Sequence, residues 1–417
     1  MDYLARIDGA APAERWPLVR GWLYSEPLAL FSELRANRPV LVMPELTFCT
    51  RHADCTLILR RHDVFGVDLY RPKQGDYWMA QDDTARHWRE KSIMKAILDF
   101  EDIAPMRKWI GEETAKRLKS ANGNIEYVRQ IGRGVPTAMV QHWFGFDGAD
   151  PDAMIDWSYW NQQDAFHNQP FDAPGPVSAA EISAYQKRAG FMMALYLGKL
   201  IAKRTIAVKL GSDAQDSVSR LLRLVFCDSL KFNLKQVLFN IGGLLIGAVE
   251  TTSHSTVNAL EFLMADPARF TAAKAAADDP ATFDGFVHEA LRFRPAFPYF
   301  FRTAHRPTML SGGTPFATEV PTGTTVLAVT HSAMFDEAGF PEPDRFDPAR
   351  DHSDAFTLGQ GMHECLGRAI ATVMMPEIVR QVILMPELKA SGPVEYQGRK
   401  VPQRWGLSYS APAMANA

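Results

Sequence analysis

Cys365 stands between a run of glycines and an apolar helical stretch, in Phe356-Thr-Leu-Gly-Gln-Gly-Met-His-Glu-Cys-Leu-Gly-Arg368. Backbone N–H groups at a helix start donate hydrogen bonds and carry partial positive charge, so a cysteine placed there is favoured as the thiolate. Gly359 and Gly361 permit backbone conformations and close approaches that a Cβ blocks. Gly367 would let a flat ligand lie near the helix start. Such a loop would hold a sulfur anion rigidly beneath a planar surface; a glycine-rich turn around a buried thiol is the plainer alternative. Cys49, Cys55 and Cys227 sit in no CxxC pair, so a zinc site of the usual spacing is not expected.

Two more constellations precede the cysteine. Glu289 and Arg292 stand three apart, on one face of a helix. Such pairs are common and contribute little alone, but Pro343-Asp-Arg345-Phe346 follows them, still ahead of Cys365. Earlier, Gly247-Ala-Val249-Glu250-Thr251 interrupts an apolar stretch. Small and polar residues inside a buried helix cost stability. Either the threonine bonds back to the carbonyl four residues before it, or the acid and the alcohol serve a reaction.

The elements that must position these residues are mostly helical. Asn233 is a plausible N-cap for a long helix to about Met264, and Leu234, Val237, Leu238, Ile241, Leu244, Leu245, Ile246 and Val249 leave it little polar surface. A helix apolar nearly all round belongs in the middle of a large protein. Helices are also expected over 27–35, 52–61, 83–100 (capped near Asp83 or Thr84), 282–293 (stopped by Pro295) and 366–384 (kinked at Pro376). Residues 40–43 and 47–50 read as a strand pair, 65–81 as a loop, and the stretch after Pro295 as short strands. The expected fold is mainly α with a small β region, at 38–50 and 296–330. No repeat or low-complexity linker appears, so residues 1–417 read as one domain.

Hydrophobic residues make up 47% of the chain and charged residues 22%, with net charge −3. A large core is affordable, and nothing suggests a nucleic-acid binder or a polybasic membrane anchor. No uninterrupted apolar run of about 18 residues and no signal-peptide pattern is seen. With four isolated cysteines, a cytoplasmic protein is expected.

Taken in order, these motifs resemble those of the cytochrome P-450 family. Gly359, Gly361, His363, Cys365, Leu366 and Gly367 fall on its haem-binding signature, while Leu358 stands where an aromatic residue usually shields the thiolate side. The resemblance implies haem b (iron protoporphyrin IX) with Cys365 as its axial ligand, under a long central helix. It places Glu289, Arg292 and Arg345 in a buried charge network, for which guanidinium forks are suited. Gly247 belongs to a small-residue groove. Thr251 would steady O2 and a water at the haem, and Glu250 would link that water to bulk protons. Haem propionates would meet Arg89, Arg302 and His363, although the histidine expected four residues before Arg89 is Ala85.

By the same resemblance the substrate pocket would involve Tyr77, Trp78, Phe166, Val249, Phe297, Tyr299 and Phe300, with His167 and Gln162 able to read a polar group. An aromatic, apolar pocket favours a hydrophobic small molecule. The implied activity is insertion of one atom of O2 into that molecule. The chain ends soon after the cysteine helix, so a separate ferredoxin or flavodoxin-like donor is expected, docking on a basic face of Lys91, Lys95 and Arg368. A peroxide-using or hydroperoxide-isomerising enzyme is the alternative; a haem-based sensor or carrier would need no acid–alcohol pair.

Overall fold

The computed structural model describes residues 2–227 and 230–410. They form two compact units. One holds the chain up to His87 with Pro170–Ala173 and Leu291–Cys365; the other holds Trp88–Gln169, Pro174–Ala290 and the chain from Leu366 on.

The first unit is built on a five-stranded sheet in the order Val40–Val42, Thr47–Cys49, Thr325–Ala328, Phe300–Ala304, Phe65–Gly66. Its strands are rich in β-branched and aromatic residues, which suit a pleated, buried surface. All neighbours are antiparallel except Thr47–Cys49 and Thr325–Ala328, which run parallel with Cys49 opposite Ala328. Cys49, Cys55, Ile58, Phe65, Ala304 and Val326 pack into its core, and Phe356 joins them. Helices Pro27–Asn37 and His52–Arg60 lie where the sequence indicates them. The stretch expected as a loop contains the strand Phe65–Gly66, the short helix Arg71–Gln74 and a 3-10 turn at Trp78–Ala80. Helices Tyr3–Gly9 and Pro12–Ser25 were not foreseen; the second contains Pro17, and its apolar residues follow no clear helical stripe. Trp16 within it donates its indole N–H to the Phe171 carbonyl at 2.7 Å.

The second unit is helical. Its axis is the helix Leu234–Met264, opened by a capping box in which Asn233 and Gln236 satisfy each other's backbone N–H groups. Val237, Ile241, Leu245 and Val249 are fully buried along it. Polar anchors fix its first turns: Gln236 and Asn240 both donate to the buried Glu90, at 3.1 and 3.0 Å. Around it stand Ile103–Ser120, Gly134–Phe144, Pro151–His167, Ala179–Lys209 and Arg368–Ile383, the last with Pro376 inside it. Glu377 ties this last helix to Arg107 at 3.2 Å. A small sheet orders Asn124–Glu126, Gly406–Ser408 and Lys389–Ala390. Among the described residues no helix is long and apolar enough to cross a membrane. The fold is mostly helical with small sheets, as the sequence indicates.

Candidate active site

In the first unit the Cys365 loop is shaped by its own backbone. The Cys365 amide donates to the Leu358 carbonyl at 2.9 Å and the Glu364 amide to Gly361 at 3.1 Å. Gly359 (φ 70°, ψ 179°) occupies a region open essentially to glycine alone. Gly361 (φ 75°) lies so near the preceding helix that a Cβ would come within 2.3 Å of the Leu59 carbonyl oxygen. Cys365 itself is half-buried, and the helix begins three residues later at Arg368, with Gly367 as an N-cap that offers no side chain. The early amides of that helix therefore lack a side-chain cap. Phe356 is turned into the sheet core, edge-on to His52 at 5.2 Å, and Leu358 is half-buried.

His363 is almost buried and sits 3.7 Å from the Asp82 carboxylate. Its ring stands edge-on to His87 at 4.9 Å, and His87 stands edge-on to Trp78 at 4.7 Å. His87 Nε2 is 2.7 Å from the Met362 carbonyl oxygen, so the donor loop is stapled to this aromatic ladder. Burial pushes the Asp82 carboxyl up, but His363 and the Val67 amide together hold it below the ordinary value. Arg302, on strand Phe300–Ala304, is buried. It donates to the Phe301 carbonyl at 2.8 Å and bonds to Tyr70, and it forms no ion pair among the described residues. Burial lowers its pKa, with Tyr70 and Asp82 pulling the other way. A guanidinium buried without a counter-ion costs several kcal/mol, so its place calls for an anionic ligand.

In the second unit the central helix carries the acid and the alcohol. Thr251 Oγ1 donates to the Gly247 carbonyl at 2.5 Å, which is the back-bond the sequence left open. Gly247 is exposed between the buried Leu245 and Val249, and a Cβ there would meet no heavy atom of the described residues within 4 Å. A mid-helix glycine costs about 1 kcal/mol relative to alanine, and no protein neighbour demands it. One turn of backbone is gripped from the helix Pro151–His167: Gln162 Nε2 and Ser158 Oγ donate to the Ile246 carbonyl at 2.7 and 3.3 Å. Gln162 is thereby committed to structure. Glu250 is buried and bound by Arg133 through two bonds, Nε to Oε2 at 2.8 Å and Nη2 to Oε1 at 2.7 Å. Burial pushes His167 and His254 each down to about 3, leaving neutral imidazoles.

Several expected placements change. Arg345 is not part of a buried network: its side chain is 61% exposed and pairs with Glu342 at 3.1 Å. Its carbonyl, with those of Met334 and Pro343, accepts from the fully buried Arg292, which also lies over the Phe293 and Phe335 rings. Glu289 is fully buried. The charge is thus solvated by carbonyls and aromatic faces. Arg89 is exposed, whereas His87 and Lys91, four apart on the same helix Thr84–Ile97, are buried. Lys91 therefore belongs to no basic docking face, while Lys95 is exposed. Trp78 and Val249 are fully buried, Tyr299 is buried edge-on to Phe171 at 6.3 Å, Phe297 lies 6.3 Å from Phe300, and Tyr77 and Phe166 are half-buried. His87 and Lys91 were not read as cofactor-side residues, Lys91 having been placed on a docking face, and Arg133 was missed. The i, i+4 spacing of His87 and Lys91 is the signal that would have found the first two.

The chemistry of the first unit's donor set fits an iron porphyrin: a thiol just ahead of a helix start that lacks a side-chain cap, a buried arginine with no ion pair among the described residues, and a nearly buried histidine two residues before the thiol. The sequence profile of the cytochrome P-450 family matches residues 282–392. The chain is 27% identical to an erythromycin C-12 hydroxylase of Saccharopolyspora erythraea, over 80% of each chain. It is 25% identical to a vitamin D(3) 25-hydroxylase of Pseudonocardia autotrophica, over 86% of each. Among solved structures, the open cytochrome P-450 EryK from S. erythraea superposes with TM-score 0.77 at 22% identity, covering 94% of this chain and 98% of that one. CYP109B1 from Bacillus subtilis gives 0.75 at 19% identity, over 92% and 99%. These two likenesses are likenesses of fold.

Proposed function

We propose that the chain is a member of the cytochrome P-450 family, whose model matches residues 282–392, and that Cys365 would ligate the iron of its haem b. It is a monooxygenase that places one atom of O2 in a hydrophobic small molecule, with electrons from a separate redox partner. The observation that carries the ligand assignment is the loop: Gly359 in a conformation essentially reserved for glycine and Gly361 pressed against the Leu59 carbonyl turn the chain so that Cys365 precedes a helix without a side-chain cap.

Bound there, the haem supplies the site at which O2 is reduced and cleaved, a thiolate ligand favouring that cleavage. The chain's own residues hold it and manage protons. Cys365 would give the sulfur, and Gly359, Gly361, Gly367 and Leu358 would shape the loop that presents it. Arg302 and His363 receive propionates, and Lys91 replaces Arg89 as the helix cation, since it is the buried one. Gly247 would keep that turn of the central helix open for the group. Thr251 keeps its own hydrogen on the Gly247 carbonyl, so its oxygen is free to accept from a water. Glu250 is the neighbouring charge that orients that water. Glu289 and Arg292 keep the fold ahead of the loop. Tyr77, Phe166, Phe297 and Phe300 are the better pocket candidates, because Trp78, Val249 and Tyr299 are closed in by packing.

The donor is a ferredoxin or flavodoxin-like protein, and the compartment the cytoplasm. Because the chain passes repeatedly between its two units, residues 1–417 serve as one catalytic domain. The test is spectroscopic: Cys365→Ser abolishes the long-wavelength Soret band of the reduced carbon monoxide complex. An unchanged band sinks the ligand assignment.

A further inference from the structure

The segment Val128–Arg133 is π-helical and leads straight into the helix Gly134–Phe144. π turns are rare and concentrate at functional sites. Here the widened turn has a visible result. Gly132 lies so close to the central helix that a Cβ would come within 2.7 Å of Ser253 Oγ. The next residue, Arg133, then reaches Glu250 one turn earlier on that helix and takes both carboxylate oxygens. The same guanidinium donates to the Pro402 carbonyl at 3.1 Å and lies 5.2 Å over the Tyr159 ring. Tyr159 in turn accepts from Arg399 Nη1 at 2.5 Å. Arg133 and Glu250 are both buried, with 8% and 3% of their side chains exposed. Four segments of the second unit therefore meet at the Arg133 guanidinium: the central helix, the π segment, the helix Pro151–His167 and the turn around Pro402.

A fork that binds a carboxylate at two points fixes its plane as well as its distance. For Glu250 to swing, two charge-assisted bonds must break in a buried place. We propose that Arg133 is the positioning residue of the Glu250–Thr251 pair, holding the carboxylate in a single orientation beside Thr251 so that it acts from a fixed place rather than as a swinging side chain. This rests on the reading of Glu250 and Thr251 as the proton-handling pair, and deepens it. The sequence hides the link, since Arg133 and Glu250 are far apart and the π turn has no periodic signature.

The test needs no knowledge of the substrate. Holoprotein is supplied with NADPH through a surrogate ferredoxin and its reductase, with no organic substrate added. O2 then takes two electrons and two protons to hydrogen peroxide, or four electrons and four protons to two waters. The share reduced to water reads proton delivery. Arg133→Gln and Glu250→Gln each lower that share by about tenfold or more, positioned proton transfer being worth about 10²–10⁴-fold in full. The double variant is no worse than either single one, and Arg133→Lys, which keeps the charge without the fork, falls between. Independently of turnover, the melting temperature drops in each single variant and no further in the double.

If Arg133→Gln binds haem normally and keeps the native share, Arg133 is only structural and the inference fails, while Glu250 keeps its role if its own variant loses water formation. If the Arg133→Gln loss persists undiminished in the Glu250→Gln background, Arg133 acts elsewhere and the inference also fails. If Glu250→Gln alone changes nothing, the underlying pair is misread and the inference falls with it. Should Arg133→Gln not fold, Arg133→Lys decides: a native share overturns the claim that the fork is needed.

Discussion

Cys365 is legible from sequence because its environment is made by its immediate neighbours. A glycine two to six residues away and a helix start just behind it determine the loop, and both are written in the chain. Arg302 is different: strand patterning places it, but only the fold shows that it is buried with no ion pair among the described residues. That gives a prediction with a definite sign. Arg302→Leu removes an unpaired buried charge, so the apoprotein melts at the same temperature or higher. Holoprotein loses a charge-assisted contact to a propionate, and haem passes to apomyoglobin roughly 10–100-fold faster. An apoprotein that melts lower, together with unchanged haem transfer, would remove Arg302 from the cofactor site. Arg89 shows where reading single residues fails. At the motif spacing of four, Ala85 and Arg89 lie on the exposed face of the helix, and His87 and Lys91 on the buried one. Phase on a helix is settled by which face is buried, and burial of His87, Glu90, Lys91 and Met94 settles it here.

Elements with chemical punctuation at their ends were read closely. Asn233 marks the start of the central helix, whereas Asp279, which accepts from Thr282 and caps Pro280–Phe293, went unread and that helix was begun at Thr282. The segments without such marks, the helix Pro12–Ser25 and the π-helical Val128–Arg133, went unread because their structure is imposed by packing. Arg345 failed for a related reason. Its motif is real, but the contact is made by its backbone, and sequence comparison names side chains only. The cysteine loop yields the prediction proper to this scale. Gly361→Ala combines a disfavoured φ with a carbonyl oxygen 2.3 Å from the new Cβ. The preceding helix or the loop must shift, at a cost of about 2–5 kcal/mol. Melting temperature and the fraction of cysteine-ligated haem fall together. Native values for both would show the loop to be looser than its geometry implies.

Across the whole molecule, acid sensitivity follows from histidines folded in their neutral form. Burial chiefly holds His331 down at about 4, aided by Arg292 and Arg35 and opposed by its bond to the Phe293 carbonyl; His167 and His254 lie at about 3. Unfolded histidine titrates near 6.5. The unfolded chain therefore binds protons first, and stability present above about pH 6.5 is lost as pH falls toward 4, at about 1.4 kcal/mol for each unit of difference. His331→Gln keeps a donor for the Phe293 carbonyl without a titrating ring. Its melting temperature falls less between pH 6.5 and 4 than that of the native protein; parallel curves would show that His331 does not contribute to the slope.

The sheet of the first unit carries a further consequence. Cys49 is paired in parallel with Ala328, so its innermost neighbours come from opposite ends of the chain. On a ribosome adding about 5–20 residues per second, the first strands wait roughly 15–55 s for the partner that completes them. During that interval their open edge is a template for the wrong strand. Recombinant yield should thus depend less on the strength of the finished fold than on slow synthesis, low temperature and holdase chaperones that shield the N-terminal hairpin until the C-terminal third has emerged.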